Sequence, residues 1–175
     1  MQRQNDFSAK FSALSMAEKL ILIGGIVFVI AAFLPWIKVS AKAAAGLGGG
    51  SVSESLMGDP ASIWGILALL VAIVLAGIVI ARIMDMQLPA LPPQYSWGQV
   101  FAAGGGALVV LTLLKAWRIQ AVDVSGGLGV DVLDKSFGIG FFLGVICALA
   151  VGAGGYMLYT EEKGGTSFGG GGFRR

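Results

Sequence analysis

Four long apolar stretches, near residues 17–37, 61–82, 98–118 and 137–159, leave this chain few folds to choose from. A helix rises 1.5 Å per residue, so about 20 apolar residues cross the roughly 30 Å hydrocarbon core of a bilayer. Runs of this length without alternation point to helices that satisfy their own backbone groups, not to barrel strands. The expected fold class is an all-α membrane protein, a four-transmembrane-helix bundle. Only 13% of residues are charged, against about 25% in soluble domains. The 28 glycines suit helices that approach closely in lipid.

Helix signals mark the starts of these stretches. Ser15 with Glu18 and Ser96 with Gln99 read as capping boxes, Asp59-Pro60 as N-cap and N1, and Asp134 or Ser136 as a cap for the fourth span. The first stretch is longer than the apolar part of a signal peptide, and Asp6 and Glu18 precede or open it. It therefore reads as a retained span, although Val39-Ser40-Ala41 resembles a cleavage site. Phe7, Phe11 and Leu14 share one helical face, so the N-terminal segment is either a short surface helix or a frayed polar tail. Arg3, Lys10, Lys19, Arg82, Lys163, Arg174 and Arg175 fall on the side of the termini, against Lys38, Lys42, Lys115, Arg118 and Lys135 opposite. This favours both termini in the cytoplasm of a multi-pass protein of the cell membrane. Trp36, Trp64, Trp97 and Trp117 stand at span ends, where aromatic side chains mark the interface.

Laid on itself with an offset of 81 residues, the chain superposes Gly24-Gly25 on Gly105-Gly106, Trp36 on Trp117, and Gly46-Leu47-Gly48 on Gly127-Leu128-Gly129. With a gap of eight, Trp64-Gly65-Ile66 meets Phe137-Gly138-Ile139. We read two tandem helix-loop-helix repeats, 17–84 and 97–160, in a single membrane domain over 1–160. The outer loops, 38–60 and 119–136, carry short alternating pieces, Lys38-Val39-Ser40, Ser51-Val52-Ser53, Val122-Asp123-Val124 and Val130-Asp131-Val132. These are expected to pair into a small outer β-sheet, with flexible glycine linkers as the competing reading. Residues 161–175 form a Gly-rich tail, expected to be disordered.

Small residues recur at every fourth position: Ala68, Ala72 and Ala76; Gly98, Ala102 and Gly106; Gly140, Gly144, Ala148 and Gly152. Such stripes serve close helix packing, within the chain or against another. Chemistry is sparse by comparison. There is no histidine and only one cysteine, Cys147, which reads as a small buried residue. No ionisable group lies mid-span; Lys115 and Arg118 are expected to snorkel, and Pro35 to sit at a helix boundary. Asp123, Asp131 and Asp134 offer oxygen ligands for a hard cation, but solvated turn residues are the expectation. No catalytic set, cofactor site or metal site is therefore predicted, and a net charge of +2 without a basic stripe argues against nucleic acid.

Phe33-Leu34-Pro35-Trp36 with Lys38-Val39-Ser40, a glycine-rich loop and Ser62-Ile63-Trp64-Gly65 resembles uncharacterised small four-helix bacterial membrane proteins. The loop layout also resembles that of claudin-type tetraspan proteins, which implies a small outer sheet resting on four helices; their paired loop cysteines have no counterpart here. The expected function is non-catalytic: an accessory or scaffold subunit working through lipid and through a membrane-protein partner or homo-oligomer. The alternative is a small transporter or channel subunit that forms a pore by oligomerising.

Overall fold

The computed structural model of the chain describes residues 2–41, 51–59, 62–89, 91–92, 94–121 and 133–164. Among these described residues five helices and three strands follow in the order α1 (Gln2–Ala13), α2 (Met16–Ala32), β1 (Ile37–Ala41), β2 (Ser51–Glu54), α3 (Ser62–Ile83), α4 (Trp97–Ala121), β3 (Leu133–Phe137) and α5 (Ile139–Gly164). Three of the helices, α3, α4 and α5, are long and apolar enough to cross a membrane. At 17 residues, α2 is shorter.

Helices α2 to α5 close into a ring in which each packs on its two neighbours and the diagonal pairs barely meet. The buried positions explain the geometry. On α4 they are Gly98, Phe101, Gly105, Leu108, Thr112, Lys115 and Ile119, a strict alternation of three and four. Helix α3 follows the same rhythm through Gly65, Ala68, Ala72, Leu75 and Val79. This heptad spacing keeps one face on the neighbouring helix at a shallow crossing angle. A step of four over-rotates by about 40° on a 3.6-residue helix, so a stripe read every fourth residue drifts off the contact. Gly106 shows it: this position is exposed, with nothing within 4 Å of where a Cβ would stand. The contact expected there is made one residue earlier, by Gly105.

Outward positions carry the large aliphatic residues, among them Ile23, Ile26 and Ile30 on α2, Leu70, Ile73 and Val74 on α3, and Ile146 and Leu149 on α5. Inside lie alanines and glycines around Phe28, Trp36 and Phe101. Soluble bundles reverse this distribution, and lipid as the outer solvent accounts for it.

Strand β1 is central to an antiparallel sheet of order β2-β1-β3, with Val39 opposite both Val52 and Lys135. Among the described residues, the first loop thus supplies a hairpin and the second an edge strand. Strand β3 starts later than the alternating pieces read in that loop, whose residues 122–132 lie outside the described residues. Asp134 and Ser136, read as caps of the fourth span, belong instead to β3, opposite Ser40 and Lys38. The C-terminal boundary also moves: α5 runs to Gly164, four residues into the segment read as tail. Residues 165–175 lie outside the described residues.

Candidate functional site

Polar and aromatic contacts gather at the two ends of the ring. At the sheet end, α2 stops at Ala32, so Pro35 lies beyond the helix and does not bend it. The Pro35-Trp36 step then serves as a keystone. Trp36 N–H donates to Glu54 O at 2.7 Å and its indole Nε1 donates to Ala31 O at 2.8 Å. Gly138 N–H and Gly140 N–H donate back to Trp36 O and Pro35 O. The Trp36 ring meets Phe28 and Phe141 edge-on, with centroids 6.2 and 5.9 Å away, a favoured aromatic geometry. It is fully buried, and with its N–H satisfied from its own helix end the indole needs no water. Trp117, its partner at the 81-residue offset, is 64% exposed on α4. The cause is length, since α4 continues as helix through residues 118–121, which match 37–40 of β1. Trp64 and Trp97 are half-buried.

Lys115 also departs from expectation. Rather than snorkelling, it is fully buried in the ring, and its ammonium donates to Gly58 O in the first loop. The carboxylates of Asp59 and Glu54 lie near enough to act on it electrostatically. One turn earlier, buried Thr112 donates to Leu108 O at 2.8 Å. The sequence hid this arrangement because Lys115 meets a carbonyl 57 residues away. Arg118 is exposed.

At the opposite end, both expected capping boxes form. Ser15 and Glu18 exchange bonds of 2.8 and 3.2 Å, and Ser96 and Gln99 exchange bonds of 3.0 and 3.2 Å. Replacing Ser15 by alanine is expected to lower stability by about 1 kcal/mol, read as earlier thermal unfolding in detergent. Buried Glu18 also pairs with Arg82 at the end of α3, and Lys10 of α1 pairs with Asp85 just beyond it. Glu162 of α5 accepts from Gly98 N–H at 3.0 Å with both carboxylate oxygens. A carboxylate at a helix N-terminus satisfies an orphan donor and complements the helix dipole. These links put the start of α2, the ends of α3 and α5 and the start of α4 on one face. Phe11 and Leu14 pack against the core, which anchors α1 as a helix.

Of the expected packing residues, Ala68, Ala72, Ala76, Gly98, Gly140, Gly144 and Ala148 are buried, Ala102 and Gly152 are half-buried, and Gly106 faces outward. Consecutive glycines divide between neighbours. A Cβ at Gly154 would meet Ala17 O of α2 at 2.7 Å, whereas one at Gly155 would collide with Phe101 of α4. On α4, Gly104 faces Leu75 of α3, Gly105 faces Gly152 of α5, and Gly106 faces open space. Gly24, the partner of Gly105 at the 81-residue offset, likewise faces α5, where a Cβ would meet Val151 at 2.9 Å. Cys147 is buried. Among the described residues no group of three metal-ligating side chains gathers; Asp123 and Asp131 fall outside them. Compared with known protein families and with curated proteins, the chain finds no match in either.

Proposed function

We propose that this is a multi-pass membrane protein in which α2 crosses the bilayer with α3, α4 and α5, and that it works by contact, as an accessory or scaffold subunit of a membrane complex. A span of 17 residues is at the short end of the working range, roughly 17 to 25. The capped α2 start and the α3, α4 and α5 ends that share its face are assigned to the cytoplasmic side of the cell membrane. Tandem duplication belongs to this reading, supported by the like placement of Gly24 and Gly105 against α5.

The observation that carries the contact role is the outward face of α4. Where α2, α3 and α5 turn mainly isoleucine and leucine toward lipid, the first half of α4 turns Ala103, Gly106 and Ala107, ahead of Val110, Leu113 and Trp117 on its second half. Small residues exposed in lipid leave the helix backbone open to another helix. The ring itself is filled by Phe28, Trp36, Phe101 and Lys115, which favours contact over conduction through one copy.

Single cysteines at Ala103 or Gly106, in a Cys147→Ser background, are expected to form cross-linked adducts in native membranes, whereas Ile73→Cys on α3 forms none. Absence of adducts from α4, together with a monomer free of co-purifying protein in mild detergent, would overturn the contact role. Ion or solute flux through liposomes carrying a purified oligomer would replace it with a pore.

A further inference from the structure

A groove of about 210 Å³ opens on the face that carries the capped end of α2, between α1 and the last turn of α3. Its walls alternate in charge. The Glu18–Arg82 pair lies deep, with Glu18 almost fully buried and Arg82 a quarter exposed, and the Lys10–Asp85 pair spans the surface. The deep pair holds its geometry. The surface pair, both of whose side chains are substantially solvent-exposed, is weakly held and exchanges readily for other partners.

Asp85 occupies a position where the backbone favours glycine. Its φ is +54°, and Met86 N–H reaches back to Ala81 O at 2.9 Å, the hydrogen bond that ends a helix through a left-handed residue. Aspartate tolerates that conformation less well than glycine. What it adds there is a carboxylate on the groove wall facing a lysine.

We propose that this groove binds the headgroup of an amine-bearing zwitterionic phospholipid. The phosphate lies against Lys10 and the exposed edge of Arg82, and the primary ammonium replaces Lys10 as the partner of Asp85. Both contacts are charge-assisted hydrogen bonds. Two carboxylates on the walls disfavour a purely anionic headgroup, and a quaternary amine has no N–H to donate. Leu14 and Ile83 line the apolar side of the groove and receive the glycerol end. The inference rests on the bilayer setting proposed above, yet the two fail separately. Solubility without detergent sinks the setting, while detergent-solubilised protein that ignores headgroup identity sinks only this site.

The test uses the full chain in a neutral detergent, offered phosphatidylethanolamine, phosphatidylcholine and phosphatidylglycerol of matched acyl chains, with retained lipid read by native mass spectrometry. Phosphatidylethanolamine is expected to be retained about tenfold over the other two, the difference one charge-assisted contact makes. Lys10→Gln and Asp85→Asn should each remove that preference while leaving the lipid-free melting temperature nearly unchanged, because asparagine also accepts the left-handed backbone. Equal retention of the three lipids, or a preference that survives both variants, overturns the proposal. Displacement of the lipid by equimolar soluble glycerophosphoethanolamine would reassign the site to the free headgroup and overturn the lipid source.

Discussion

Replacing Gly155 by valine is expected to push α4 away from α5 and cost 3 kcal/mol or more, at or beyond the top of the range of about 1 to 3 kcal/mol for overpacking a core. A Cβ at this position would fall on the carbonyl of Phe101, with the carbonyl carbon 2.7 Å away and the Cα of Ala102 at 3.1 Å. These are backbone atoms of a helix, so no rotamer change relieves the collision, and valine adds two methyl groups beyond the Cβ. The α4–α5 contact is the most extensive in the molecule, so the loss is felt by the whole ring. Gly106→Val supplies the control, because nothing stands within 4 Å of a Cβ there. It should leave the unfolding transition in detergent within about 0.5 kcal/mol, as surface substitutions usually do, while weakening the α4 cross-links. Equal destabilisation by the two variants would contradict the packing described here.

The contrast between Gly155 and Gly106 also shows how far residue order alone reaches. Apolar length, capping boxes and the strands near 38–40 and 51–53 are local signals, and α3, α4, both boxes and the β1–β2 hairpin stand where they were expected. Which glycine of a run meets a neighbour depends on helix phase. Phase became legible only in the alternation of three and four across Phe101, Leu108 and Thr112, large or polar residues that a search for small ones passes over. The fates of Trp36 and Lys115 depend on partners far along the chain, Glu54 and Phe141 for the first and Gly58 for the second. No spacing rule within one helix encodes those meetings. The pairing of β3 is equally non-local, since it meets β1 at separations running from 92 residues at Ala41–Leu133 to 100 at Ile37–Phe137.

Removing Arg82 alone should be the most damaging change of charge in the molecule. Glu18 is almost fully buried, and a carboxylate left without its cation costs about 3 to 5 kcal/mol in a protein interior. Because Arg82 is a quarter exposed, water reaches its side of the pair and places Arg82→Met near the lower end of that range. Glu18→Gln is expected to cost only about 1 kcal/mol, since glutamine can still accept from Ser15 N–H as the third residue of the capping box and the guanidinium keeps an exposed edge. The double variant, Glu18→Gln with Arg82→Met, should recover most of what Arg82→Met loses, because the buried charge has gone with its partner. Unfolding of the four proteins in one detergent measures the coupling between the two sites. Strictly additive losses would mean that the two side chains do not act as a pair, and the cross-link between the start of α2 and the end of α3 would then lie elsewhere.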